Sequence, residues 1–141
     1  MTELQKYRKQ LHALLNYLHG CLPEDAELNR YRAKLELGMD ADPRGVAQGI
    51  TSCLAPYVDH ILKGDDSFFV GADLTVLGVD PSYLAFAHKL RDIWLGLDAG
   101  QHNQVKKYFK ILLMRGCLVI QDPDLLTAIN RHRDANSQLS F

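Results

Sequence analysis

KKYFKILLMRGCLVI, residues 106–120, decides how the rest of the chain is read. With Val105 just ahead of it, the apolar residues Tyr108, Phe109, Ile111, Leu112 and Leu113 cover more than half of a helical circumference. That spacing predicts a central helix over about 101–114, touched from several sides. Gly116 reads as its stop. Cys117-Leu118-Val119-Ile120 then fits either a short buried strand or an extended connector, because four apolar residues are too few to choose between them.

Working outward, the preceding segment opens at Asp80-Pro81 and places Tyr83, Ala87, Leu90, Trp94 and Leu97 on one helical stripe, opposed by Ser82, Lys89, Arg91 and Asp92. Asp-Pro recurs at Asp42-Pro43 and Asp122-Pro123. The aspartate accepts hydrogen bonds from first-turn amides and the proline has its φ already set, so each pair predicts a helix start. The residues that follow the three pairs share little beyond amphipathicity, which argues against a repeat. After Pro43, the residues Val46, Ile50, Leu54, Tyr57 and Ile61 keep helical spacing through Pro56, a proline that must kink or divide the segment. Lys63-Gly64 closes it.

Toward the N-terminus, Leu4, Tyr7, Leu11, Leu14 and Leu18 line one face of a helix capped by Thr2 and ending at Gly20. Leu22-Pro23-Glu24-Asp25 predicts the next helix, with Pro23 in its first turn, Leu28, Tyr31, Leu35 and Met39 buried, and Gly38 as the stop. A short helix from Pro123 to about Arg133 completes the pattern. The expectation is an all-α domain of five to seven helices over residues 1–134, with the short extended segment near 117–120 and a frayed tail at 135–141.

Between the helices lies GDDSFFVGAD, residues 64–73, where Phe68 and Phe69 stand in a stretch that otherwise reads as a loop. An aromatic ring brings about 150–250 Å² of buriable area, enough to pin such a connector across helix ends. The aspartates around it do not follow the alternate-ligand spacing of a calcium loop, so capping explains them better.

Composition narrows the function classes. Sixteen basic and seventeen acidic residues give a formal charge of −1, so no global positive field gathers phosphates. Charged residues interrupt the first twenty positions, and no window approaches the roughly 18 apolar residues of a membrane span. The odd set Cys21, Cys53 and Cys117 reads as reduced thiols, and an intracellular setting is expected. No two of the six histidines have the i, i+4 spacing of a helical zinc site, although His12 and His19 can share a face near Cys21. No nucleophile elbow or phosphate loop is present in the sequence. The expectation is a chain with no catalytic residues, no metal and no cofactor.

Two binding chemistries remain legible. Lys106, Lys107, Lys110 and Arg115 interleave with Tyr108 and Phe109, and Arg30, Arg32 and Lys34 form a second cluster. Charge for the backbone and rings for stacking would serve nucleic acid, whereas a plain amphipathic helix would turn the rings inward and leave the lysines to solvent. Tyr57, Phe68, Phe69 and Trp94 are the candidates for a protein-binding aromatic patch.

YVDHILKGDDSFFVG (57–71) and KLRDIWLGLDAGQHNQVKKYFKILLMRG (89–116) resemble a pattern in small helical proteins encoded by large DNA viruses of algae and protists. There, a helix precedes an acidic stretch with paired phenylalanines, then a tryptophan-bearing amphipathic helix and a final aromatic-rich helix. The resemblance covers about residues 54–120 and rests on packing motifs. It departs at Gly71, at Gly78 and in the 117–120 segment. It implies a helical fold, a viral origin, and residence in the host cytoplasm or the virion, with no enzymatic activity and no site residues to carry over.

The leading expectation is therefore a non-catalytic interaction or structural protein, a viral accessory or minor virion component, with a protein partner and room for self-association. Nucleic-acid binding through residues 105–115 is the alternative. A third reading, a viral helical regulator of host cell death, ranks last because the chain lacks the Asn-Trp-Gly-Arg signature of that fold. On the leading reading, Phe69→Ala abolishes partner capture at unchanged melting temperature; a lowered melting temperature instead assigns Phe69 to the scaffold.

Overall fold

Thr2 starts the first helix by a reciprocal pair of bonds: its Oγ1 accepts from the Gln5 amide at 3.1 Å, while Gln5 Oε1 accepts from the Thr2 amide at 2.8 Å. The computed structural model describes residues 2–64 and 81–135. In chain order the helices are α1 (Glu3–Cys21), α2 (Ala26–Ala41), α3 (Pro43–Leu54), a 3₁₀ turn (Ala55–Tyr57), α4 (Val58–Lys63), α5 (Pro81–Leu95), α6 (Ala99–Ile120) and α7 (Pro123–Ala135). No strand occurs among the described residues. The all-α bundle stands as the spacing predicts.

Several boundaries follow the chemistry expected of them. Asp42 accepts from the Gly45 amide ahead of Pro43, and Asp122 Oδ1 accepts from the amides of Asp124 and Leu125. Pro56 divides its segment, since a proline has no amide to continue the ladder, and the 3₁₀ turn carries the chain from α3 into α4. Gly64 ends α4 in the left-handed conformation, φ 72°.

Four expectations need correction. Pro23 lies outside α2, because Asp25 is the cap: its Oδ1 accepts from the Leu28 amide at 2.9 Å, and the helix begins at Ala26. Gly38 does not end that helix; a side chain there would begin 3.0 Å from Val46 Cγ2, so glycine marks where α3 presses on α2. The central helix starts earlier than expected, because Asp98 and Gln101 form a second reciprocal cap at Ala99. Most consequentially, Gly116 is no stop. The helix runs through it to Ile120, and 117–120 is neither strand nor connector.

The reason lies in the packing. α6 makes its most extensive contacts with α1 and then with α3. Its inward row is Val105, Phe109, Leu112, Gly116 and Val119, a periodicity that crosses the glycine without a break, with Leu113 and Cys117 buried beside it. A methyl group on Gly116 would lie 2.0 Å from Thr51 Oγ1 and 3.2 Å from both Thr51 Cβ and Tyr7 Cε2. Thr51 and Tyr7 are themselves fully buried. Gly116 is therefore the point at which α1, α3 and α6 converge. What ends α6 is Gln121, at φ 55° in the left-handed region, with its amide donating to Cys117 O.

Around this junction α1 contributes Tyr7, Leu11, Leu14, Leu15 and Leu18 to one continuous core. The C-terminal helix α7 closes the far side, packing Leu125 and Ile129 against α4 and α6. In an open helix Gly→Ala gains about 1 kcal/mol. Here Gly116→Ala is expected to cost about 1–3 kcal/mol by overpacking, read as a lower urea midpoint. Adding Thr51→Ala, which removes the hydroxyl nearest the new methyl, should recover part of the loss.

Candidate interaction surface

α1 and α2 are antiparallel neighbours joined by a short turn, so residues at three- and four-step intervals on one face each other on the next. Four such rungs form along the hairpin. Arg8 donates to Asp40, with a second nitrogen 3.4 Å from Met39 O; His12 Nδ1 donates to Glu36 Oε1 at 2.5 Å; Arg32 donates to Asn16; and His19 Nδ1 donates to Asn29 Oδ1 at 2.8 Å. Every step down α1 is matched by an equal step back along α2. The ladder covers a crevice floored by Leu11, Leu15, Leu35 and Met39, beside a shallow depression lined by Gln5, Arg8, Lys9, His12 and Glu36.

The other end of α2 is tied to α5. Lys89 Nζ donates to Asp25 Oδ2 at 2.9 Å and lies 3.9 Å from Glu27. Asp25 thus caps α2 with one oxygen and holds Lys89 with the other. The Leu28 amide and then the Lys89 ammonium hold its carboxyl below the usual aspartate range, while the bond to Asp25 raises the Lys89 ammonium above its ordinary value despite the opposing effect of burial.

The predicted aromatic patch does not gather into one surface among the described residues. Trp94 is a core side chain, stacked on His102 with ring centroids 3.8 Å apart and planes at 5°. His102 Nε2 donates to Trp94 O at 2.7 Å, fastening the corner between α5 and α6. Tyr57 is half-buried against the core, its ring 6.3 Å from that of His60. Phe68 and Phe69 lie outside the described residues.

The α6 cations also diverge. Lys106 Nζ stands 5.9 Å over the Trp94 ring, Arg115 lies 3.7 Å from Glu3 Oε2, and Lys110 reaches the C-terminal end of α4 beside Gly64. Lys107 faces solvent. Of the rings between them, Phe109 is buried and Tyr108 packs on Tyr17 at 5.4 Å. Tyr17 is in turn coupled to Cys21; burial first, then the neighbouring Cys21, push the Tyr17 phenol up.

The histidines expected to share a face do so, since His12 and His19 are both rungs of the ladder, but each is turned to its own partner on α2, and Cys21 accepts from Gln101 at 3.5 Å instead. No cluster of three or more histidines, cysteines, aspartates or glutamates suited to a metal ion occurs among the described residues. Cys53 and Cys117 are buried, and desolvation pushes both thiols up. On the far side His132 Nε2 donates to Asp59 Oδ1 at 2.5 Å, linking α7 to α4; that bond holds the exposed Asp59 carboxyl below its usual range.

What sequence reasoning missed is the outward face of α2. Arg30, Arg32 and Lys34 look like one basic cluster in the sequence, yet Arg32 turns to α1 while Arg30 and Lys34 turn to solvent with Ala33 and Leu37. Leu37 is 68% exposed, directly opposite the buried Leu28 and Met39. The placement of Leu28, Leu35 and Met39 on one side of the helix already carried that signal. No described helix is long and apolar enough to cross a membrane. Neither family models, characterised proteins nor solved structures give a match to this chain.

Because Asp25 has two roles, its substitutions should separate. Asp25→Ala is expected to cost about 1–2 kcal/mol through loss of the cap, whereas Asp25→Asn keeps an N-cap acceptor and loses only the charged partner of Lys89. The pH dependence has a definite sign. The folded carboxyl titrates below the unfolded one, so its contribution is complete above the ordinary aspartate range, about pH 4, and is lost as pH falls through the depressed folded value. Urea midpoints measured from pH 7 to pH 3 should therefore fall more steeply for the parent than for Asp25→Asn.

Proposed function

We propose that this protein works by binding another protein and carries no catalytic machinery, acting as a viral accessory protein or minor virion component in the sense implied by the resemblance over residues 54–120. The observation that carries the reading is that Leu37 and Leu95, each 68% exposed, stand out from α2 and α5, helices held to their neighbours by the His12–Glu36 and Lys89–Asp25 bonds. Large apolar side chains held in water by rigid helices favour burial against a partner, at roughly 1.5–3 kcal/mol for a fully covered leucine. The histidines and carboxylates of α1, α2, α4 and α7 serve as struts between helices, which is the chemistry of a scaffold.

The alternative, nucleic-acid binding through residues 105–115, draws support from Lys107 and Lys110. It has less to work with in the remainder of that segment, where Lys106 covers Trp94, Arg115 pairs with Glu3, Phe109 is buried and Tyr108 packs on Tyr17. Tagged parent protein, Leu37→Glu and Leu95→Glu should be used to capture partners from the native cell, with melting temperatures measured in parallel. The expected result is a specific partner whose capture falls at least tenfold in one leucine variant while the melting temperature is unchanged. Capture that neither substitution weakens, or salt-sensitive recovery of nucleic acid in place of protein, would overturn the proposal.

A further inference from the structure

The polar side chains of α2 divide unequally by charge. All three of its carboxylates are drawn to other helices: Glu27 toward Lys89, Glu36 to His12 and Asp40 to Arg8. Its cap Asp25 is likewise held by Lys89. Of its three cations, only Arg32 faces a neighbouring helix, where it meets Asn16. Arg30 and Lys34 form no ion pair among the described residues and are exposed. The outward face therefore carries two positive charges outside any ion pair among the described residues, beside an apolar strip of Ala33, Leu37 and Ala41, all exposed.

The helix that presents this face is fixed along its length. The four-rung ladder holds it against α1, the Asp25–Lys89 bond holds its first turn to α5, and Leu28 and Met39 anchor it in the core. A rigid face loses little conformational entropy on docking. The small residues flanking Leu37 permit close approach of a second helix, with the leucine projecting into it.

We propose that the outward face of α2 docks an amphipathic helix of a protein partner that carries glutamates or aspartates beside its apolar stripe. The inference rests on the protein-interaction reading and gives it a place and a charge. Arg30 and Lys34 pair with the partner's carboxylates and Leu37 enters its apolar stripe. A polyanionic nucleic acid would use the same two cations but would gain little from Leu37, which is why a helix is the better fit.

The test uses the whole protein, isotopically labelled, and two synthetic peptides of about twenty residues, long enough for helix formation. Both carry leucines at i, i+3, i+4 and i+7; one is flanked by glutamates and the other by lysines. Amide shifts are followed during titration at low salt. The expected result is saturable binding of the glutamate peptide, with shifts at Arg30, Ala33, Lys34, Leu37 and Ala41. Leu37→Glu should weaken it about tenfold, and Arg30→Glu with Lys34→Glu should transfer preference to the lysine peptide.

Equal binding of both peptides, no shifts up to millimolar peptide, or shifts centred on another helix would overturn the proposal. So would concentration-dependent broadening of the same residues without peptide, which assigns the face to a second copy of the chain. An oligonucleotide that shifts these residues irrespective of Leu37 would assign the face to nucleic acid. If a cellular partner is captured through Leu95 while α2 binds neither peptide, the protein-interaction reading survives and only this docking assignment fails.

Discussion

Three helices can meet at one point only if one of them has no side chain there, and Gly116 supplies that condition. Thr51 Oγ1 occupies the space in which a Cβ on α6 would stand, and the Tyr7 ring closes the same site from α1. The rest of the arrangement depends on this approach. It sets how deeply α6 sits between α1 and α3, and so which residues above and below become core: Phe109 and Leu112 on one side, Cys117 and Val119 on the other. Thr51 Oγ1, a buried hydroxyl oxygen, has no hydrogen-bond partner among the described residues, a cost tolerated where the gain in surrounding packing is larger.

With α1 fixed on α6, the hairpin geometry of α1 and α2 determines the polar ladder. Antiparallel helices keep constant register over several turns, so one favourable polar pair makes equal steps in opposite directions favourable too. The Arg8–Asp40, His12–Glu36 and Asn16–Arg32 rungs are exposed and each contributes little to stability, on the order of 0–1 kcal/mol. Their effect is on orientation: together they settle which side of α2 faces α1, and hence which side faces solvent. The Asp25–Lys89 bond is better shielded and joins helices that are far apart in the chain, so it constrains α5 as well as capping α2.

Helical periodicity made most of the fold legible, and the Asp-Pro and Thr2 signals located the starts because capping is a local matter of one side chain and a few amides. Pro56 was legible for the same reason. The two misread glycines share one physical cause. Glycine weakens a helix in isolation, but Gly38 and Gly116 are chosen for what lies across the interface, Val46 in one case and Thr51 with Tyr7 in the other. No local window contains those partners. The unbroken row from Val105 to Val119 was the clue that the helix continues. The surface was less legible, because adjacency in sequence hides divergence in space: Arg32 points to α1 while Arg30 and Lys34 point to solvent, and the cations of α6 reach Trp94, Glu3 and the end of α4 separately.

That divergence bears on where a nearly neutral protein keeps local charge. With a net charge of −1, long-range steering is weak, and local charge depends on which ionised side chains are paired within the fold. Pairing sorts the charges of α2: its carboxylates turn to partners on α1 and α5, and its outward face keeps Arg30 and Lys34. The same bonds that fix α2 to α1 and α5 engage its carboxylates, while Arg30 and Lys34 form no ion pair among the described residues. Disrupting a strut would free a carboxylate beside those cations and weaken the positive character of the face, even where the fold itself is retained.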